Sequence, residues 1–377
     1  MSEWKKCTLG DVLNLRRGYD LPHSKMMEGN IPVAGSNGII GTHNIATPIE
    51  PCITVGRSGS AGSTFIYDRA WAHNTTLYID DFKGNDPKYL YYLLLSLPLK
   101  KMAGGSAVPS LNRNHIHPLN ITFPTTLETQ HNIASILTSL DDKIAINRRI
   151  CENLEAQTQA LFNHWFIDFA PFKNGKFVES ELGMIPEGWR VGKFTDIFDL
   201  GSGGTPKTSE QLYWKDGSIP FFSPKDVNGV YCFETEKHIT ENGLNNCSSS
   251  LYRKNTVFIT CRGTVGKVAM AAVPMAMNQS NYAILSNKGY SQWFAYLMTT
   301  SIVKKLKFKA NGAVFDAITS KDFKEQIIIP HVNDVNRFDC IIQPIFDSIL
   351  NFGFEILRLS TLRDTLLPKL MSGQIKV

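Results

Sequence analysis

A chain of 377 residues with 43% hydrophobic content can form two or three domains with cores of their own, which excludes disorder as a global description. Seven cysteines stand singly with no Cys-x-x-Cys pair, which argues against a disulfide framework and structural zinc and favours a reducing compartment. A formal net charge of +5 is only mildly basic, so it permits nucleic-acid binding without requiring it.

The start, Met1-Ser2-Glu3-Trp4-Lys5, lacks the basic-then-apolar pattern of a signal peptide, and the longest apolar run, near Tyr89 to Leu99, is too short to span a bilayer. A cytoplasmic protein without a membrane partner is expected. A strand opens at Trp4, and a short helix-like stretch follows over Leu9 to Leu15. Glycine-rich loops come next, Gly35-Ser36-Asn37-Gly38 and Gly56 to Gly62, separated by β-rich pieces such as Thr64-Phe65-Ile66-Tyr67. A helical stretch over Tyr89 to Met102 leads to the apolar strand Ile121-Thr122-Phe123, closed by Pro124.

A heptad helix then begins. Ile133, Leu137, Leu140, Ile144, Asn147, Cys151, Leu154, Thr158, Leu161 and Trp165 alternate by four and three, an a/d seam more than four heptads long. Turn signals from Pro171 to Gly188 mark a linker, and the whole order then repeats. Trp189 begins a copy of the Trp4 segment, with helix-like residues over Phe194 to Leu200 and glycines at 201, 203 and 204. Thr256-Val257-Phe258-Ile259-Thr260 reads as a strand, Trp293 to Lys309 as a helix, and Ile327-Ile328-Ile329-Pro330 as the closing strand. The second seam, Phe338, Ile342, Ile345, Ile349, Phe352, Ile356, Leu359, Arg363, Leu366 and Leu370, keeps the same alternation.

A period this long is a duplicated domain with its own helix, because solenoid units run to roughly 20–50 residues. Two seams of equal length in one chain predict an antiparallel pair about 48 Å long between Ile133 and Trp165. The plainer alternative is that each helix docks only on its own globule. Asn147, Thr158 and Arg363 on the seams are candidates for setting register.

Signatures of catalysis and metal binding are missing. Gly263-Thr264-Val265-Gly266-Lys267 is too short for a phosphate loop, and Val268 replaces the hydroxyl that would hold magnesium. His115-Ile116-His117 reads as loop rather than metal site, and nothing places Ser58 beside His73 as nucleophile and base. No Asn-Pro-Pro-aromatic motif or nuclease carboxylate cluster occurs.

What repeats instead suits DNA reading. Arg57 and Arg262 lie in loops of glycine and small hydroxyl residues (Ser58, Ser60; Thr264, with Lys267 beyond), where a backbone can approach phosphate and an arginine can fork onto phosphate or guanine. Asn74-Thr75-Thr76 and Asn278-Gln279-Ser280 group amides and hydroxyls able to meet base edges. Alternatively, these asparagines cap turns and the arginines form ion pairs. Lys100-Lys101 and Lys304-Lys305-Lys307-Lys309 read as solvated helix faces or phosphate contacts.

Over nearly its whole length the chain resembles the specificity subunits of type I restriction-modification systems. The resemblance rests on the Trp-x-x-x-x-Leu-Gly-Asp opening, both Arg-containing glycine loops, Ile136-Leu137-Thr138-Ser139-Leu140-Asp141-Asp142-Lys143-Ile144, and Leu161-Phe162-Asn163-His164-Trp165-Phe166. It rests also on Glu181-Leu182-Gly183-Met184-Ile185-Pro186-Glu187-Gly188-Trp189 and the ending Leu366-Leu367-Pro368-Lys369-Leu370-Met371-Ser372-Gly373. One departure is Cys261 where the first loop has Gly56. The resemblance implies an α+β fold: two tandem mixed target recognition domains separated by two long helices in an antiparallel coiled coil. The first domain would cover 1–127, the family's central conserved helix 128–170, a linker 171–188, the second domain 189–332 and the distal conserved helix 333–373. Each domain would read half of a bipartite site in double-stranded DNA. Two modification subunits would carry S-adenosylmethionine and restriction subunits would use ATP and magnesium, with no cofactor, metal or catalytic residue in this chain. Alternatives are a self-contained modification enzyme, and a stand-alone DNA-binding regulator or antirestriction decoy on the same scaffold.

Overall fold

The computed structural model describes residues 4–104, 110–309 and 317–377, with the Lys309 side chain outside the described set. Two compact units divide the chain, one formed by residues 1–144 and 358–377, the other by 145–357.

In the first unit β1 (Trp4–Thr8) leads through the single turn α1 (Leu9–Val12) to β2 (Asn14–Arg17). Then come β3 (Ile31–Gly35), β4 (Gly38–His43), β5 (Cys52–Gly56), β6 (Thr64–Tyr67), β7 (Trp71–Ala72) and β8 (Thr76–Asp81). Helices α2 (Pro87–Ser96) and α3 (Arg113–Ile116) precede β9 (Asn120–Pro124) and the 40-residue α4 (Leu127–Phe166). One sheet has the order β2-β8-β5-β6 and a smaller one β4-β3-β7, while β9 returns to pair antiparallel with β1. Central strand β5 is buried at every position, as an apolar run bounded by turn residues should be. Its Ile53 and Val55 share a core with Leu15, Leu77, Tyr89 and, from the long helices, Ile133, Leu137 and Leu370.

The linker is more structured than its turn signals suggested. It holds a hairpin of β10 (Phe177–Ser180) and β11 (Gly183–Pro186), turned at Gly183 with φ 97°. Beyond it the second unit repeats the first plan. β12 (Arg190–Lys193) pairs with the closing strand; β13 (Phe198–Ser202), β14 (Ile219–Phe222), β15 (Tyr231–Cys232), β16 (His238–Ile239) and α5 (Glu241–Asn245) follow. Next are β17 (Val257–Thr260), β18 (Val268–Ala271), β19 (Ala276–Met277), β20 (Asn281–Ser286), α6 (Gln292–Lys309), β21 (Gln326–Ile329) and α7 (Val332–Met371). The sheets have the orders β13-β20-β17-β18-β15 and β16-β14-β19, so the first plan recurs with one strand added.

The helix-like stretches expected after each opening strand are shorter than anticipated. The first ends at Val12 and the second is a 3-10 turn over Phe194–Asp196, after which strands resume. In both, an aspartate binds back and closes the turn: Asp11 Oδ2 accepts from Thr8 N at 2.7 Å, and Asp196 Oδ2 from Lys193 N at 2.9 Å. Leu13 and Leu15 are then drawn into the sheet core.

Within each unit α4 and α7 run antiparallel. In the first, Arg363 donates to Asp141 Oδ1 at 2.7 Å, while the Tyr92 hydroxyl from α2 donates to Asp141 Oδ2 at 2.7 Å. In the second, the Phe338 ring packs against Phe166 at 4.9 Å and Trp165 at 5.5 Å, and the Tyr296 hydroxyl from α6 donates to Glu155 at 3.1 Å. All twenty seam positions are buried or half-buried, including Leu140, Leu154, Leu161, Ile345, Leu359 and Leu366. Ile144, Ile342 and Ile349 lie inside. Asn147 is fully buried with no hydrogen-bond partner on either amide atom, which costs stability as a register-setting polar residue would. Helix α7 is long and apolar enough by length and composition to cross a membrane, yet Phe338, Ile342, Phe346 and Ile349 serve the second unit's core and Leu370 and Met371 the first's.

Candidate nucleic-acid interface

In the first unit the β5–β6 loop and the β7–β8 loop are tied together by main chain. Arg57 N donates to Thr75 O at 2.8 Å, Ser58 N to the same oxygen at 3.3 Å, and Leu111 N to Arg57 O at 2.7 Å. A Cβ on Gly56 would collide with the carbonyls of Ser60 and Ser36, so this close approach requires glycine. Arg57 is half-buried and faces a concavity of about 380 Å³ that also gathers Arg16, Arg17, Arg113, Ser110 and Asn112. The sequence reading missed Arg16, Arg17 and Arg113. The Arg16-Arg17 pair before Gly18 was a visible signal, but only the fold brings Arg113 to it.

The other expected contacts divide. Ser58 and Ser60 are half-buried in the loop beside Arg57. The Thr75 hydroxyl meets His73 Nδ1 at 3.0 Å, and the Asn74 amide donates to Asp20. Thr76 is fully buried and its hydroxyl donates to His73 O at 2.8 Å, so it closes the turn and cannot meet a base edge, contrary to expectation.

In the second unit Arg262, Thr264, Asn278 and Ser280 come together as expected, around a cavity of about 470 Å³ with Trp214 and Phe221 among its walls. Lys237 Nζ lies 5.6 Å from the Trp214 ring centre, a cation–π contact, and Lys225 pairs with Glu236 at 3.8 Å. Asn278 Oδ1 accepts from Ser280 N at 3.0 Å and Asn281 Nδ2 at 2.7 Å, so its carbonyl caps the turn. Gln279 accepts from the Thr205 hydroxyl, and Lys267 is exposed outside the cavity.

The hydrogen bonds correct the correspondence between the loops. Gly56 N to Ser63 O and Gly62 N to Gly56 O are matched by Thr260 N to Lys267 O and Gly266 N to Thr260 O. Arg57 therefore occupies the place of Cys261, and Ser58 that of Arg262. Cys261 N donates to Ser280 O at 2.8 Å, as Arg57 N does to Thr75 O, so Thr75 matches Ser280 rather than Gln279. The arginines resemble each other in text but spring from adjacent, not equivalent, positions.

Several cysteines and histidines near these loops are engaged structurally. Burial pushes the thiols of Cys52, Cys232 and Cys261 up to about 12, far from a nucleophile's range. His117 Nε2 accepts from Leu15 N at 3.0 Å, and burial, with Arg113 and Lys83 nearby, lowers its pKa. Burial likewise lowers that of His73, which pairs with Thr75 rather than Ser58. Among the described residues no group of three or more His, Cys, Asp or Glu could hold a metal ion.

A duplicated α+β domain with arginine- and amide-bearing loops, joined by paired helices, defines the class as a two-domain nucleic-acid reader. The family described as type I restriction modification DNA specificity domain matches residues 1–156 and 186–356, and this chain belongs to it as a DNA-recognition subunit of a type I restriction-modification system. It is 32% identical over 304 residues to the MjaIX specificity subunit of Methanocaldococcus jannaschii, covering 77% of this chain and 69% of that protein. It is 28% identical over 357 residues to the HindI specificity subunit of Haemophilus influenzae, covering 77% of each. The crystal structure of a type I restriction-modification S subunit from M. genitalium shares the fold, with TM-score 0.60, 18% identity, and 98% of this chain and 96% of that one covered.

Proposed function

We propose that each domain reads one half of a bipartite double-stranded DNA target, and that α4 and α7 set the spacing between the halves. The observation that carries this reading is the strand-by-strand recurrence of the two sheets, with the paired Arg and amide loops at the same end of each. Phosphate contacts would hold the chain on the duplex, and base-edge contacts would select sequence.

This chain makes and breaks no bond in that scheme. Two modification subunits bind it and methylate adenine with S-adenosylmethionine, and restriction subunits use ATP and magnesium, all in the cytoplasm. Its own residues orient the duplex for those partners. Co-expression with its modification subunit, followed by mapping of methylated adenines across a genome, should give one bipartite motif with a fixed gap. Methylation by this chain alone would contradict the division of labour, as would a modification subunit that is equally sequence-specific without it.

A further inference from the structure

Four arginines share one concavity in the first domain, and the second domain has none at the matching positions. Arg16 and Arg17 lie opposite Tyr78 and Leu77, where the second domain places Gly201 and Ser202 opposite Ala283 and Tyr282. Arg57 matches Cys261. Leu111 and Ile318 make the same main-chain bond, to Arg57 O and Cys261 O, so Arg113 matches Ser320. Of these four, Arg17 alone has a carboxylate partner among the described residues, Asp20 at 3.5 Å, and both side chains are largely exposed. Four like charges gathered with so little neutralisation repel one another unless an anion enters.

The four are not equally free. Arg57 is half-buried, and its backbone is pinned on both sides, to Thr75 and to Leu111, so this arginine enters the cleft from a fixed main-chain position. Arg16, Arg17 and Arg113 are exposed around it. Arg16 leans over the Tyr19 ring at 5.7 Å, and Arg113 Nη1 donates to Leu15 O at 3.4 Å. A planar fork carried on a pinned, half-buried position suits the O6/N7 edge of guanine in the major groove, while exposed arginines suit phosphate.

We propose that Arg57 reads a guanine in the half-site of the first domain, with Arg16, Arg17 and Arg113 as phosphate anchors around it. This inference rests on the DNA-recognition reading above. The second domain, lacking all four, reads its half-site by other chemistry.

The test uses the assembled complex with its modification subunits. The probes are a duplex carrying the mapped target, variants with each base pair changed singly, and an unrelated duplex of equal length. Arg57→Ala should cost about 10- to 100-fold in discrimination at one G·C pair of the first half-site and nothing in the second. Arg57→Lys, which keeps the charge but loses the fork, should lose the same discrimination while holding its affinity for the unrelated duplex. Arg17→Ala should weaken all duplexes alike and reduce the salt slope by about 1. A folded Arg57→Ala complex with unchanged discrimination, or one weakened equally on every duplex, would overturn the assignment, as would a first half-site without a G·C pair. A wild-type complex that binds all duplexes alike would instead defeat the DNA-recognition reading itself.

Discussion

Asp339 on α7 accepts from the Ser291 hydroxyl at 2.8 Å, yet burial pushes its pKa up to about 6. The folded chain thus holds this proton more tightly than the unfolded chain, whose aspartate sits near 3.9. Stability contributed by the group is present below about pH 4 and is lost as pH rises through about 6. Asp339→Asn, which keeps an acceptor for Ser291, should gain about 1–2 kcal/mol at pH 7 after discounting for partial exposure. Denaturation at pH 7 and pH 4.5 should show the gain shrinking on acidification; a gain of the same size at both would contradict this account. Arg262, exposed beside the cavity of the second domain, should behave as a DNA contact: Arg262→Ala costs about 1–3 kcal/mol on specific DNA if it meets a base. Unchanged affinity in a folded complex would make it structural.

At the scale of elements, Gly353 sits inside the continuous helix α7 where the Phe233 ring lies on it, and a Cβ there would collide with that ring. Phe233 also meets Phe354 edge-on at 4.9 Å, so the helix and the segment after β15 are fitted around the missing side chain. Gly353→Ala gains about 1 kcal/mol in helix propensity and should still be destabilised by about 1–3 kcal/mol net through overpacking. Phe233→Ala in the same chain should remove most of that penalty, a coupling that a double-mutant cycle measures; additive effects would deny the contact. The heptad seams were legible in sequence because packing enforces a 3.5-residue period along one continuous element. The arginine cleft was not, because Arg16, Arg57 and Arg113 lie on three separate segments and meet only through strand order and the Leu111–Arg57 bond. The loop correspondence slipped by one residue for a related reason. Textual echoes align side chains, Arg with Arg, whereas main-chain hydrogen bonds fix the place in a loop. Thr76 was misjudged because alternation at a strand's first residue does not reveal which face is covered.

At the scale of the whole molecule, α4 and α7 each begin in one compact unit and end in the other. If they set the gap between half-sites, four residues inserted into the middle of each, with the apolar seam preserved, add about 6 Å. Duplex DNA rises about 3.4 Å per base pair, so the gap should grow by one or two pairs while both half-sites stay unchanged. The residual rotation of about 40° should weaken binding without redirecting it. An active complex that kept its original gap would reduce the helices to docking elements.

The central claim is that two separable readers share one chain, and domain replacement tests it most directly. Residues 1–125 would be exchanged for the matching domain of a relative with a different target, and methylated adenines mapped across a genome carrying the hybrid and its modification subunit. The account predicts a new sequence in one half of the motif, with the other half and the gap preserved. A folded, active hybrid whose two half-sites both changed, or neither, would contradict it.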